Sequence, residues 1–491
     1  MSENTYWITR FLFQRSLALV YLAAFLIAWN QFRPLCGDHG ILPARLFLKR
    51  VDFWDAPSLF QWKANDTLFG AAAMAGVLLS GAALVGLTDI VGGALGNWIS
   101  ALSWLALWVL YSSFVNIGQT FYSFGWEIML GEVGFLAVFM GSMRSEPSAI
   151  TMWLLRWVLF RLMFGAGLIK MRGDECWRDL TCMNFHYETQ PLPGPLSWYF
   201  HHFPAWVHKL ELLFTHFIEL VVPFAYFGPR LLRQSAGAAT IAFQLTLMAS
   251  GNLSWLNCIT IVTALGCFDD SAFRWLAPLL PGWAIGVSGV SGGIPSPVLY
   301  VLTAVVAILS IQPTLNLVSK SQIMNTSFDP LHLVNTYGAF GSITRTRYEV
   351  ILEGTDDPVL TFHSKWSEYE FKGKPGDPAR QPPQVTPYHY KIDWQMWFAA
   401  MSEYYYHPWI LNFIAKLLKN DPGTLSLLRV NPFKEKPPTH IRAELYEYHF
   451  TQPGDPSGNW WTRKRVALYL PPLSLETPSF KAALKAQGWD E

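Results

Sequence analysis

The sequence predicts a multipass α-helical membrane bundle of about eight to ten helices, followed by a soluble β-rich α+β C-terminal domain. Three observations lead there. The 491-residue chain is 51% hydrophobic and 14% charged, with 23 Trp, too apolar and too aromatic for an ordinary soluble protein of this length. Its charge is unevenly spread: no Asp, Glu, Lys or Arg occurs from Ile90 to Trp126, Ser235 to Phe268 or Trp275 to Ser319. Uncharged apolar runs of roughly 20 residues are long enough to cross the hydrocarbon core of a bilayer. From Lys320 onward charges return, and apolar residues alternate with polar ones as in half-buried strands. The division therefore falls into a membrane domain over 1–319 and a C-terminal domain over 320–491.

The first helix covers Phe11 to Trp29. No small-x-small cleavage site follows it, and Asn30-Gln31-Phe32-Arg33-Pro34 leads into a long loop, so it is a retained anchor rather than a signal peptide. Further helices are expected over Leu68–Leu87, Ile99–Val115, from about Phe121, and over Met152–Ile169 and Val207–Phe227. A long stretch from Ala236 to Phe268 should break at Ser250-Gly251-Asn252. A last pair, Trp275–Val287 and Val298–Ile311, is separated by the Gly/Ser/Pro-rich Ser288–Pro297. Half-helices are possible at both breaks. In the last third, Ile343–Leu352, Val359–Phe362, Lys365–Phe371, Ile441–Phe450 and Arg463–Leu470 read as strands, and Trp394–Tyr406 and Trp409–Lys419 as helices.

Composition also excludes classes. A net charge of +1 without long Lys/Arg blocks gives no surface for nucleic acid. Five cysteines, at 36, 176, 182, 258 and 267, are too few for a disulfide scaffold. No cofactor motif is legible and no metal is assigned. Cys176, Cys182, His186 and His201 or His202 supply zinc-type ligands, but at a spacing that matches no standard module.

The most unusual stretch is the loop over 170–206. A connector between membrane helices is ordinarily short and built of small polar residues. This one holds Cys176, Trp177, Asp179, Cys182, His186, Tyr187, Glu188, Trp198, His201 and His202, groups that hydrogen-bond, stack or ionise. Cys176 and Cys182 can form a structural disulfide or remain free thiols; their spacing is not that of a redox CxxC pair. Glu188 with a His neighbour can act as an acid–base pair. The alternative is that these groups satisfy the backbone of a Pro-rich irregular segment.

Charged residues inside the apolar spans are costly and face the bundle interior or a wet cavity. Glu127, Glu132, Arg156 and Arg161 form such a set, to be read as ion pairs between adjacent helices or as the wall of a functional cavity. His208, Glu211, His216 and Glu219 make an inward polar stripe at i, i+3, i+4 spacing. Lys170 and Arg172 end a helix, where long cations snorkel to the interface. In the C-terminal domain Trp394, Trp397, Tyr404, Tyr405 and Trp409, with Tyr406, form an aromatic belt, either core or a face for a client protein.

The stretch Arg161–Pro204, with its CWRDL core, HYETQPLP and PLSWYFHHFP, closely resembles the signature region of the lipase maturation factors. The likeness extends to Tyr6-Trp7-Ile8-Thr9-Arg10-Phe11, Asn30–Leu35, Ser250-Gly251-Asn252, Phe268-Asp269-Asp270, Asn335–Gly341 and Arg429–Phe433. The membrane half is also distantly similar to the membrane domain of vitamin K-dependent γ-carboxylases. The first resemblance implies a multipass endoplasmic reticulum protein, a chaperone-like maturation factor rather than an enzyme. Its partners would be secreted homodimeric lipases and the lipid bilayer, and the C-terminal domain would carry the client. In a bacterial source the location would be the cytoplasmic membrane. The second keeps open a membrane-embedded enzyme acting on a lipid-soluble cofactor or substrate. The chain ends in Trp489-Asp490-Glu491 without a retrieval tetrapeptide.

Overall fold

The computed structural model of the chain describes residues 5–145, 147–285 and 293–489. Its N-terminal part is a bundle of α1 (Trp7–Cys36), α2 (Asp66–Val85), α3 (Gly93–Ile117), α4 (Gly125–Ala137) and α5 (Ala149–Arg172). These are followed by α6 (Ala205–His216), α7 (Arg230–Ser250), α8 (Leu256–Ala264), α9 (Ser296–Leu309) and α10 (Ile311–Val318), the last two forming one span. Five spans are long and apolar enough to cross a membrane: Trp7–Cys36, Asp66–Val85, Gly93–Ile117, Ala149–Arg172 and Ser296–Val318. The chain is a multipass membrane protein.

Local chemistry sets several boundaries. Asn65 caps α2 by accepting from Leu68 N at 2.8 Å, and Gly86 ends it at φ 89°, the left-handed turn that glycine adopts without strain. Ser148 caps α5 through Ile150 N. Two glycines permit close approach: a Cβ on Gly76 would collide with the Phe25 ring, and one on Gly134 with the Tyr21 hydroxyl. Helix α6 continues through a π-turn, Phe217–Val221, into Val222–Ala225. Pro223 cannot donate to the ladder, and a widened turn re-aims the face that carries Glu219.

Hydrogen bonds sort the connections to two ends of the bundle. At one end Asp270 accepts from Trp7 N at 2.9 Å and Ile8 N at 2.8 Å, and Arg15 pairs with Asp89 at 2.8 Å. At the other, Gln31 Nε2 donates to His389 O at 2.7 Å and Asn412 Nδ2 to Ile41 O at 2.7 Å. Asn252 Oδ1 there accepts from Val385 N at 2.7 Å and Thr386 N at 2.9 Å. The second end holds the loop after α5, the Ser250-Gly251-Asn252 break and the whole C-terminal region.

That region is built on an antiparallel four-stranded sheet. Its elements are β1 (Thr326–Ser327), β2 (Asn335–Thr336), β3 (Arg347–Thr355), β4 (Ser367–Glu368), β5 (Glu370–Phe371), β6 (Leu428–Val430), β7 (His440–Phe450) and β8 (Trp461–Leu473). The sheet order is β4-β3-β7-β8, with β1–β2 and β5–β6 as separate pairs. Helices α11 (Lys391–Ala399), α12 (Trp409–Leu418) and α13 (Pro478–Gln487) accompany it. Residues of the bundle, α11 and α12 share one continuous apolar core, so the C-terminal region is not a detached appendage.

Several expectations need correction. Trp275–Val287 is not a spanning helix: Pro278 and Pro281 leave only short turns, Arg274–Leu279 and Gly282–Ala284. Val287 and the first half of Ser288–Pro297, residues 288–292, lie outside the described residues. Val359–Phe362 is no strand; Val359 and Phe362 are exposed and pair with nothing in the sheets described. The helix expected over Trp394–Tyr406 stops at Ala399, and Tyr404–Tyr406 forms a separate 3-10 turn. The helix expected near Phe121 begins at Gly125.

Candidate functional site

The loop after α5 is ordered by its own polar groups. Asp174 accepts from Cys176 N at 3.0 Å, capping the turn Glu175–Arg178, and Arg345 grips the same carboxylate at 2.7 and 2.9 Å. The Arg345 hydrogen bonds hold the Asp174 carboxyl down to about 2. Cys176 and Cys182 are disulfide-bonded, with Cα atoms 4.8 Å apart. Trp177 is buried beside them; its Nε1 donates to Phe340 O at 2.8 Å, and His216 Nε2 lies 2.9 Å from Trp177 O. Asp179 is exposed on the outside of the turn.

The next stretch is held by the sheet. Glu188 Oε1 accepts from Phe450 N at 2.7 Å and from His449 Nδ1 at 3.1 Å, while burial raises the Glu188 carboxyl above its ordinary range. Trp198 Nε1 donates to Thr451 O at 2.8 Å, and His202 Nδ1 is 2.7 Å from Trp198 O. Tyr187 is buried. His201 sits 4.0 Å from Glu188, and burial pushes its imidazole down to about 4. His186 is likewise pushed to about 4 by burial and by the Lys170 charge.

Arg347, which sequence reasoning missed, organises this contact. Buried on β3, it donates to Glu188 O at 3.0 Å and Pro191 O at 3.0 Å and pairs with Glu349, which also meets Lys374 at 2.8 Å. The signal was present in ITRTRYEVIL: the alternation that marks the strand puts Arg347 and Glu349 on the same inward face. Trp177, Glu188 and Trp198 are thus spent on the backbone and on the sheet, whereas His186 Nδ1 and His201 Nδ1 have no hydrogen-bond partner among the described residues. Among the described residues no group of three or more His, Cys, Asp and Glu could hold a metal ion.

The intramembrane charges are dispersed rather than convergent. Glu132 pairs with Arg161 as adjacent helices allow, and the pair reaches out of the bundle: Tyr337 Oη donates to Glu132 Oε2 at 2.6 Å and Asn335 N at 3.1 Å. Glu127 has no helix partner of that kind. It meets Lys391 of α11 at 2.7 Å and accepts from Tyr111 Oη. Arg156 donates to Gly266 O at 2.7 Å. Lys170 does not snorkel; it is buried and bonded to both Glu219 oxygens at 2.7 and 2.8 Å. His208 and Glu211 pair at 2.9 Å.

The aromatic belt divides. Trp394 and Trp409 are 4% and 3% exposed and belong to the core, so they offer nothing to a client. Their helices bury that face against the bundle: Phe124 and Trp126 pack on Trp394, and Phe121 on Trp409. Trp397 is half-buried and donates to Thr189 O at 3.0 Å. Tyr404 is half-buried, whereas Tyr405 and Tyr406 are exposed, as are Val466 and Leu468 on the edge strand β8. A hollow of about 630 Å³ bordered by Tyr348, Met401, Tyr404 and Leu468 lies in the same region. A cavity of about 550 Å³ that adjoins it, sharing Thr344, Trp397 and Met401, lies where the loop, the bundle and α11 meet.

The model of the lipase maturation factor transmembrane domain matches residues 8–275, and that of the lipase maturation factor C-terminal domain matches residues 333–471. Lipase maturation factor 1 of Mus musculus is 45% identical over 100% of this chain and 91% of its own length. The Homo sapiens protein of the same name is 44% identical over 100% and 91%. Lipase maturation factor 2 of Mus musculus is 30% identical over 97% and 84%. No solved structure matches.

Proposed function

We infer the function from one premise: the chain belongs to the lipase maturation factor family. We propose that it is a membrane-bound maturation factor that assists secreted lipases to fold and assemble, with the endoplasmic reticulum membrane as its site of action. The observation that carries this reading is the likeness to lipase maturation factor 1 over the full length of the chain.

The division into a membrane half over 1–319 and a client-handling part over 320–491 belongs to the same proposal. A folding assistant needs accessible apolar surface and no catalytic constellation. Tyr405 and Tyr406, and Val466 and Leu468 on β8, are exposed in the C-terminal region and supply such surface. Glu132, Glu219 and Glu127 are each spent in an ion pair and Arg156 on a backbone carbonyl, which suits a scaffold. The signature loop positions the client-binding region through Arg347, Glu188 and the Cys176–Cys182 disulfide and performs no chemistry of its own.

The test is site-specific photocrosslinking. A photoreactive residue at Tyr405 should capture a newly made homodimeric lipase in the endoplasmic reticulum, while one at exposed Asp179 should capture little. Capture at neither position, with the protein correctly inserted and expressed, would remove the client-binding surface from the account.

A further inference from the structure

The connection between α1 and α2 exposes four large apolar side chains, Phe53, Trp54, Leu59 and Trp62. Trp54 and Trp62 are 67% and 77% exposed. The Phe53 ring lies edge-on to Trp54 at 5.3 Å between centroids and 6.2 Å from Trp62. Exposed apolar residues that stand singly are ordinary on a protein surface, whereas an aromatic cluster of this kind marks a surface that something covers.

The packing of the loop on α3 identifies the cover. Leu95, Trp98, Leu102 and Leu105 are exposed along α3 at spacings of three and four, which is one face of the helix. On a spanning helix that apolar face meets lipid. Val109, Ser112 and Asn116 continue the same face, and there it runs beneath the loop: with Phe53, Leu59 and Trp62 they border a recess of about 160 Å³. Ser58 Oγ donates to Ser113 O at 3.0 Å, and Asn116 Nδ2 donates to Pro57 O at 2.7 Å. The loop is thus pinned over the lipid-facing side of α3, and its aromatic cluster carries that side onward.

Helix length sets the depth. The 25 residues of α3 make a rod of about 37 Å at about 1.5 Å per residue, longer than the roughly 30 Å hydrocarbon core. Its last turns, where the loop lies, therefore reach the headgroup level. Helix α2 starts at Asp66, just after Trp62, which brings the end of the loop to the same level. Trp is enriched at that boundary because its ring is apolar and its N–H polar. Lys49, Arg50, Asp52, Asp55 and Lys63 are exposed beside the aromatics. Those charges, and the open turns of the loop, keep it out of the hydrocarbon itself. Both signs are present, so the surface calls for no anionic headgroup.

We propose that the loop from Val51 to Lys63 is an interfacial anchor, with Phe53, Trp54 and Trp62 inserted into the glycerol and headgroup layer of a phospholipid bilayer. It fixes how deeply the bundle sits at the end that carries the C-terminal region, and it is independent of the client-binding reading.

The experiment uses the full chain in phosphatidylcholine nanodiscs with a nitroxide label on one introduced cysteine at a time. Trp54→Cys and Trp62→Cys are compared with Leu102→Cys on the lipid-facing stripe and Ser457→Cys in the exposed turn before β8. The unsubstituted chain, with Cys36 and Cys267 buried and Cys258 half-buried, gives the background. Power saturation reads collisions with oxygen, which concentrates in the bilayer, and with a water-soluble nickel chelate. At both tryptophan positions nickel access is expected about threefold or more below that at Ser457→Cys, with oxygen access above it. Nickel access equal to that at Ser457→Cys would overturn the proposal. So would a fall in nickel and oxygen together, which reports packing against protein, or protection that appears only when a secreted lipase is added. With the label at Phe53→Cys, Trp54→Ser plus Trp62→Ser should raise nickel access about twofold; unchanged access there would also overturn the anchor. If one tryptophan-to-cysteine variant fails to fold, the other decides.

Discussion

His449 Nδ1 stands 3.1 Å from Glu188 Oε1, and its other nitrogen 2.9 Å from Glu447 Oε1. The sheet thereby holds the signature loop through a titratable residue. Burial opposes the charge on His449, but the hydrogen bond to Glu447 and the charge of Glu188 outweigh it and raise the imidazole above its ordinary value. His201, the other imidazole facing Glu188, is held neutral at physiological pH.

A raised folded pKa means that the imidazolium stabilises the contact fully below the unfolded value of about 6.5, and that this stabilisation fades as pH climbs through the folded value. His186 and His201, pushed down to about 4 by burial, act in the opposite sense near pH 6.5, so the role of His449 is read as a difference: the thermal midpoint of the purified protein minus that of His449→Gln should shrink as pH is raised from about 6 into the alkaline range. An identical pH profile in the variant would remove the role of His449.

Glu127 and Lys391 are both fully buried and lie 2.7 Å apart, joining α4 to α11. Removing one partner leaves an uncompensated charge, which costs about 3–5 kcal/mol. Lys391→Met alone should show that loss in thermal unfolding, and Lys391→Met with Glu127→Gln should recover most of it. A double variant as unstable as the single one would mean that the effect is lost packing rather than the stranded carboxylate.

The Cys176–Cys182 bridge closes a short loop, so it constrains the unfolded chain modestly. Cys176→Ser with Cys182→Ser should lower stability by about 2 kcal/mol and increase proteolysis near 173–190. The account needs the disulfide for positioning alone, so lipase capture should decline in proportion to loop order. Abolished capture with an ordered loop would indicate thiol chemistry instead.

Core and surface aromatics should separate cleanly. Trp394→Ala should destabilise by about 3–5 kcal/mol, because the ring is enclosed by Phe124 and Trp126. Tyr405→Ala with Tyr406→Ala should change stability by about 0.5 kcal/mol or less and reduce lipase crosslinking severalfold. Both are read from thermal unfolding and crosslinking yield.

Much of this was legible in the sequence. Uncharged apolar runs located the spans, and alternation in the sequence located β3, β7 and β8, although β3 itself is buried along nearly its whole length. The Asn252 break was visible as Ser-Gly-Asn. What stayed hidden depends on partners distant in the chain. Nothing local says that Glu127 would meet Lys391, 264 residues away, rather than an arginine on the neighbouring helix. Trp394 and Trp409 read equally as core or surface, since an aromatic at helical spacing does not reveal what packs against it. Lys170 sits where a lysine ordinarily snorkels, and only the turn of the following helix at Glu219 brings its partner inside.

The central claim, that this chain matures secreted lipases, is tested most directly by rescue in cells lacking the endogenous maturation factor. Secreted lipase activity and lipase mass are measured for the wild type and for Tyr405→Ala with Tyr406→Ala. The account predicts that the wild type restores active lipase and that the double variant, expressed and inserted equally, restores severalfold less. A well-expressed wild type that restores no active lipase would contradict it.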